Sequence, residues 1–260
     1  MKFCVLGSGS KGNSTYVEAG GVSLLIDAGF SGKEIERRLA VIERDMRDID
    51  ALLLSHEHND HLKGAAVLAR RYNIPIITTQ ATFAAGSQLL GEVPFYQECR
   101  AGTSFYFDDI SIHPFRISHD CVDPVGFVLE HDSISLGYCT DTGMVSRLMS
   151  HRLAGCHGLI FESNHDQEML KNGPYPFKLK QRVSSNKGHL TNVEAASFLS
   201  SLLHPGLKHI ILAHLSETNN DPSLAYDVVM EEFEREWSAG KPCPEISLAR
   251  QDRPGEFFQL

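Results

Sequence analysis

The sequence predicts an α/β protein folded as a four-layer αββα sandwich, in a single domain spanning residues 1–260. Three observations lead there. Strand-like and helix-like segments alternate along the chain without a repeat, a low-complexity tract or a linker. The strand-like segments fall into two groups, each with helices of its own, which is the pattern of two sheets packed face to face beneath helical layers. A hydrophobic content of 42% and a charged content of 22% suit one large core, which 260 residues are long enough to enclose.

Residues 2–6 form a short apolar strand, and residues 7–14 (GSGSKGNS) a turn. Residues 15–18 and 22–26 pair as a hairpin around Gly20 and Gly21. Ser31 caps a helix running to about residue 40. Residues 49–55 read as a buried strand, 62–71 as an apolar-periodic helix, 75–78 as another strand, and the stretch to about residue 90 as helix. From residue 104 the pattern becomes strand after strand, at 105–107, 110–117, 125–130 and 134–139. Helices return at 145–150, 192–203 and 223–237, with strands at 158–161 and 208–213. The glycine-rich turn at 7–14 has neither a Rossmann nor a Walker spacing and leads into a strand, so it is no phosphate loop; a place at the rim of a site is the role left to it.

The composition excludes several classes. The six cysteines (Cys4, Cys99, Cys121, Cys139, Cys156 and Cys243) contain no C-x-x-C pair, which argues against a disulfide framework and a thiolate zinc site. The opening MKFC has too little charge and apolar length for a signal peptide, and no apolar run approaches bilayer length, so a cytoplasmic location with no membrane partner is expected. A net charge of −9 counts against an extended nucleic-acid surface. One segment runs the other way: Lys178, Lys180, Arg182 and Lys187 have no acid among them. On charge alone this is a solvated basic loop.

The run His56-Glu57-His58-Asn59-Asp60-His61 carries the chemistry. It lies between a predicted strand and a predicted helix. His56 and His58, two apart in extended chain, can face one side and grip one ion. Asp60 and His61, where the chain turns into the helix, can face a second. Imidazole with carboxylate suits zinc, manganese or iron better than calcium or magnesium. Four further polar residues sit where predicted strands end: Asp27, His119, Asp141 and His214. Alone, each reads as a turn former or a structural histidine. Together they supply the ligands that a two-metal site still lacks.

In this order, Asp27, the H-x-H-x-D-H run, His119, Asp141 and His214 resemble the five motifs of the metallo-β-lactamase-fold hydrolases, from residue 3 to about residue 220. The resemblance implies two divalent ions, Zn or Mn with Fe also suited. It places His56, His58 and His119 on one ion, Asp60, His61 and His214 on the other, and Asp141 between them, with Asp27 orienting a ligand from behind. The runs LGSGSKGNS, SHD (118–120), FESNHD (161–166), YPFKLK (175–180), GHLTN (188–192) and AHLSETNN (213–220) resemble the YycJ/WalJ group within that family. That group is described as DNA exonucleases acting 5′ to 3′, with a proposed place in bacterial mismatch repair. GHLT at 188–191 is also similar to the GHST element of the tRNase Z phosphodiesterases, with Glu162 matching its carboxylate partner. The resemblance therefore implies a metal-dependent phosphodiesterase in which Asp60, Glu162 and His189 take part in the chemistry. His189, steered by Glu162, would be a general acid for the leaving sugar oxygen. Because the basic run leads into His189, Lys178, Lys180, Arg182 and Lys187 are expected to contact backbone phosphates of DNA. A lactone, thioester or β-lactam hydrolase on the same scaffold is the competing expectation, and it would not need the Glu162–His189 element.

Overall fold

Short apolar runs separated by polar turns become two seven-stranded sheets, each filled almost in chain order. A computed structural model describes residues 1–236 and 243–260. The first sheet contains β1 (Lys2–Gly7), β2 (Ser14–Ala19), β3 (Val22–Ile26), β4 (Ala51–Leu53), β5 (Ile76–Thr79) and β6 (Tyr96–Cys99). The second contains β7 (Phe105–Phe107), β8 (Ile110–Arg116), β9 (Val125–His131), β10 (Ile134–Cys139), β11 (Gly158–Glu162), β12 (His209–Ala213) and β13 (Glu245–Leu248). The last strand, β14 (Phe258–Gln259), returns to the first sheet and pairs antiparallel with β1. Strands β3 to β6 run parallel to one another, as do β10 to β13. The remaining neighbours in each sheet are antiparallel hairpins.

Ten helices among the described residues cover the outer faces. They are α1 (Gly32–Val41), α2 (Asn59–Leu62), α3 (Ala65–Tyr72), α4 (Gln80–Ala85), α5 (Ser87–Leu90), α6 (Arg147–Leu153), α7 (Gln167–Asn172), α8 (Phe177–Val183), α9 (Asn192–Ser201) and α10 (Pro222–Glu236). Strand periodicity divides the core into three apolar layers. Leu24 and Ile26 of β3 face the second sheet, while Leu25 faces Ile35, Leu39 and Leu68 of the outer helices. On β12, Ile211 and Ala213 face inward, while Ile210 and Leu212 meet Phe198, Leu199, Val229 and Phe233. A sheet buried on both faces reads as an unbroken apolar run, which is why LLI at 24–26 and IILA at 210–213 contain no polar alternation. The expected four-layer sandwich is the observed architecture.

The differences from expectation are local. The single helix expected at 62–71 is two helices, because the chain turns helical at Asn59, inside the histidine run, and breaks at Gly64. A Cβ at Gly64 would collide with the Phe30 carbonyl, so this close approach requires glycine. The helical stretch before residue 90 is likewise α4 and α5, parted at Gly86. Edge strands β6 and β13 were not expected; three of the four residues of β6 are exposed, so it lacks a buried apolar run. The basic segment expected as a loop is helical over α8, and only Lys187 lies beyond it. Helix α10 was expected to reach residue 237, which lies outside the described residues.

Backbone bonds lace the turn after β3 to the histidine run. Ala28 N–H donates to the His61 carbonyl, Gly64 N–H to the Ala28 carbonyl, and Asn13 N–H to the Asp60 carbonyl, each at 2.7–2.8 Å. Gly29 sits in the middle, and a Cβ there would overlap the Asp60 carbonyl. Gly29→Ala must therefore displace the segment that carries Asp60 and His61. It should cost roughly 1–3 kcal/mol of stability in a urea titration. Gly155→Ala, whose Cβ meets nothing within 4 Å, should stay near wild type in the same titration.

Candidate metal centre

The carboxyl ends of the parallel strands of both sheets open at one edge, where open α/β sheets characteristically present their ligand sites. Asp27 follows β3, the histidine run follows β4, Asp141 follows β10, Glu162 ends β11 and His214 follows β12. His119 comes from the loop after β8. Asp27, Asp141 and His214 have φ of 61°, 58° and 55°, left-handed values that cost energy for residues with a side chain. The same strain at three strand ends turns each side chain into the shared cleft as soon as its strand stops.

Four of the five imidazoles are anchored through Nδ1. His56 Nδ1 donates to Ser55 Oγ at 3.0 Å, and that hydroxyl gives its own proton to Asp27 at 2.8 Å. His61 Nδ1 donates to Asp27 Oδ2 at 2.8 Å, His119 Nδ1 to the Gly188 carbonyl at 3.1 Å, and His214 Nδ1 to Glu162 Oε1 at 3.0 Å. Their Nε2 atoms are left to converge. His58 is reversed: its Nδ1 is 3.3 Å from His119 Nε2, while its Nε2 faces Cys121 Sγ at 3.4 Å and Asp120 Oδ1 at 3.7 Å. A partner on the second nitrogen fixes tautomer and ring orientation, as it does for imidazoles that bind metals.

These side chains fall into three groups, in each of which the ligand atoms lie within 4.8 Å of one another: His56, His58, His119 and Cys121; Asp60, His61, Asp141 and His214; and, overlapping the second, Asp141, Glu162, His189 and His214. Asp141 reaches both of the first two. Its Oδ2 is 3.2 Å from His61 Nε2, and its Oδ1 is 3.4 Å from His214 Nε2 and 3.8 Å from His119 Nε2. His56 Nε2, His214 Nε2 and Asp141 Oδ2 are buried without a hydrogen-bond partner. Buried polar atoms are rarely left so, and three aimed at one space indicate that something else completes them.

Charge gives the same answer. Asp27, Asp60, Asp141 and Glu162 place four carboxylates at the centre, and among the described residues none pairs with Lys or Arg. Burial would raise the Asp141 carboxyl, but His214 and His61 hold it well below the usual carboxylate range. Burial would lower the His61 imidazole, but Asp27 and Asp141 hold it well above its ordinary value. His56 is pushed well below its ordinary value, by burial first and by His61 next, so its nitrogen is a free lone pair. Buried imidazole nitrogens without hydrogen bonds, and carboxylates balanced only by imidazoles, fit divalent cations of the zinc and manganese type.

Glu162 does more than the sequence suggested. Fully buried, it accepts from His189 Nδ1 at 2.8 Å as well as from His214, and from the backbone N–H groups of Asp141, Thr142 and Leu190 at 3.1–3.2 Å. Burial would raise this carboxyl, yet His189 and His214 hold it well below the usual range. It thus ties His189 to a member of the second donor group. Of the basic residues, Lys180 Nζ donates to the Lys171 carbonyl, and Arg182 grips Asp120 at 2.5 and 3.1 Å. Arg182 is therefore not the free surface cation expected; it holds the residue beside His119. Lys178 and Lys187 are exposed.

Sequence reading missed several members of this network. Asn13, from the glycine-rich turn, places Nδ2 2.9 Å from His61 Nε2, and Tyr138 donates to Asp27 at 2.8 Å. Ser55 and Cys121 likewise join the centre. Position directly before or shortly after a ligand could have flagged Ser55 and Cys121. Nothing local could have flagged Tyr138, which comes from the opposite sheet.

A sequence-family profile described as the beta-lactamase superfamily domain matches residues 23–214, from β3 to the last candidate ligand. The chain belongs to this superfamily. Within its metallo-β-lactamase fold, the chain is 40% identical over 227 residues to an exodeoxyribonuclease YycJ of Bacillus anthracis, covering 86% of each chain. It is 40% identical over 237 residues to an exodeoxyribonuclease WalJ of Streptococcus pneumoniae, covering 90% of this chain and 88% of the relative. The metallo-β-lactamase fold protein YhfI of Bacillus subtilis superimposes with a TM-score of 0.73 at 17% identity, over 99% of this chain and 98% of that one. No helix among the described residues is long and apolar enough to cross a membrane.

Two variants test the centre. Asp141→Ala should lose most of its bound metal by inductively coupled plasma mass spectrometry while keeping the wild-type far-ultraviolet circular dichroism; undiminished metal would remove Asp141 from the ligand set. Glu162→Gln turns an amide N–H₂ toward donors that now meet a carboxylate. It should therefore cost stability, on the order of 2–4 kcal/mol in a urea titration, as well as activity.

Proposed function

We propose that this protein is a metal-dependent phosphodiesterase that degrades DNA as an exonuclease, in the 5′ to 3′ direction that the family resemblance implies. The observation that carries the reading is His189. It is in neither proposed ligand set, although it groups within 4.8 Å with Asp141, Glu162 and His214; its ring centroid is 5.1 Å from that of His119 and 5.0 Å from that of His214, and Glu162 holds its Nδ1. A proton donor so placed suits the expulsion of a poor alkoxide leaving group, which a sugar oxygen is. The two exodeoxyribonuclease relatives, aligned over most of the chain, support the same reading.

In this proposal His56, His58 and His119 hold one ion, Asp60, His61 and His214 the other, and Asp141 stands between them. Two divalent ions bound there supply positive charge for the phosphoryl oxygens and acidify the water that hydrolysis consumes. The chain's own part is positional and protonic. Asp27, Ser55, Gly188 and Glu162 fix the ligand imidazoles so that the centre does not reorganise during reaction. His189 Nε2 makes no hydrogen bond among the described residues, while Nδ1–H is committed to Glu162, so Nε2 is the nitrogen able to carry a proton to the substrate. As the water oxygen bonds to phosphorus, its proton passing to solvent, and the bond from phosphorus to the sugar oxygen breaks, His189 gives its own proton to the departing oxygen and takes one back from solvent. Glu162, kept ionised by its five donors, stabilises the imidazolium before transfer.

His189→Ala should retain its metal but lose cleavage of end-labelled DNA roughly a hundredfold or more. The loss should be much smaller on bis(p-nitrophenyl) phosphate, whose leaving group departs without a proton. An equal loss on both substrates would reject the general-acid role, and faster turnover of nitrocefin than of either phosphodiester would reject the phosphodiesterase reading. The exposed Lys178 and Lys187 are the cations of the basic run whose side chains have no partner among the described residues. Replacing either with Ala should weaken DNA binding and flatten its dependence on log salt concentration by roughly 0.7–0.9 for each phosphate no longer neutralised, read by fluorescence anisotropy.

A further inference from the structure

The FESNHD run sends two groups in different directions. Glu162 goes to the metal centre, while His165, three residues on, lines a separate cavity of about 690 Å³ between α7, α8 and α9. His189 forms part of the wall of this cavity, and none of the proposed metal ligands does. His165 is fully buried, and neither of its ring nitrogens has a hydrogen-bond partner among the described residues. The network around Glu162 does not use it. Burial lowers its basicity, so the ring is neutral and offers one donor and one acceptor. A buried imidazole with both nitrogens idle beside an open cavity is a polar group waiting for a ligand.

The rest of the wall indicates the chemistry of that ligand. Phe177, the first residue of α8, lines the cavity with 73% of its surface exposed, an unusual place for a large aromatic ring. Lys171, whose ammonium pairs with Glu168 at 3.3 Å, and Lys180, whose ammonium donates to the Lys171 carbonyl, line the same space. The one acid there, Glu194, is occupied by the N-terminus of α9, where it accepts from Thr191 N–H and Oγ. The cavity thus offers a flat apolar face, a buried neutral hydrogen-bonding group and positive charge. An aromatic platform with nearby cations is how proteins hold bases of single-stranded nucleic acid without reading their sequence.

We propose that this cavity receives the nucleobase on the leaving-group side of the cleaved phosphodiester, stacked on Phe177 with its polar edge on His165. The proposal rests on the phosphodiesterase reading: if His189 protonates the departing sugar oxygen, that sugar and its base lie beyond His189, where the cavity is. Lys171 and Lys180 then stand near the 5′-phosphate of that nucleotide.

The test is a titration of metal-loaded protein with the 5′-monophosphate of 2-aminopurine 2′-deoxyriboside, whose fluorescence is quenched by stacking. Wild type should bind and quench the probe. Phe177→Ala should lose the quenching and bind roughly tenfold more weakly, and His165→Ala should weaken binding as well. Because Phe177 is exposed, its variant keeps the test decisive even if His165→Ala fails to fold. On DNA, Phe177→Ala should raise KM by a larger factor than on bis(p-nitrophenyl) phosphate, which carries no base. An unquenched probe with wild type, or wild-type affinity in Phe177→Ala, would overturn the base site. Failure of the two ideas can be told apart: wild type that cleaves DNA without quenching the probe loses only the base site. Wild type that quenches the probe but cleaves no DNA keeps the base site and loses the phosphodiesterase reading.

Discussion

Four carboxylates set close together, with imidazoles as their only cationic side-chain partners among the described residues, are the constraint on which the site depends. Asp27, Asp141 and Glu162 are fully or almost fully buried, and among the described residues no Lys or Arg pairs with them. An ionised carboxylate taken out of water is costly unless it is paired and hydrogen-bonded. Glu162 meets that demand with five donors, and Asp27 with Ser55, His61 and Tyr138. Asp141 meets it only in part: its Oδ2 lies 3.2 Å from His61 Nε2 but accepts no hydrogen bond among the described residues. The folded chain therefore holds a negative centre that is complete only with cations in it, and Asp141 is where that shortfall is concentrated.

Packing decides that these groups meet. Each sheet buries both faces, so neither can slip in register without exposing an apolar layer. With the sheets fixed, the ends of β3, β4, β10, β11 and β12 come to one edge, and the left-handed turns at Asp27, Asp141 and His214 send the side chains into the same cleft. Three strained residues would be a liability in isolation. Here the layers and backbone bonds around them over-determine their conformation, which is how strain persists at functional sites. Tyr138 shows the two sheets cooperating, since a residue of the second sheet hydrogen-bonds the carboxylate that orients a histidine on the first.

Helix α8 is the element in which charge and position had to be separated. In the sequence, Lys178, Lys180, Arg182 and Lys187 form one basic run. A helical turn distributes them: Lys180 borders the cavity beside His189, Arg182 turns back onto Asp120, and Lys178 and Lys187 stay exposed. Four like charges thus have three different jobs, and only two of them remain free for a long anionic substrate. The net charge of −9 confines any nucleic-acid binding to such local patches.

The chain's local chemistry was enough to reveal the sandwich and most of the centre. Unbroken apolar runs such as 24–26 and 210–213 mark doubly buried strands, and metal-binding residue types placed where such runs stop mark a cleft. The candidate ligands were legible because metal-binding chemistry is restricted to a few residue types, and Glu162 and His189, which the structure places beside them, because they sit in recognisable runs. Other features required the fold. Edge strands β6 and β13 and short helices α7 and α8 carry too little periodicity to announce themselves. The break at Gly64 follows from the carbonyl of Phe30, far earlier in the chain. Asn13, Cys121 and Tyr138 join the centre, and His165 and Phe177 share a cavity, only because the fold brings separate segments together. A spacing rule reads neighbours along the chain; burial, orphaned nitrogens and shared cavities are properties of neighbours in space.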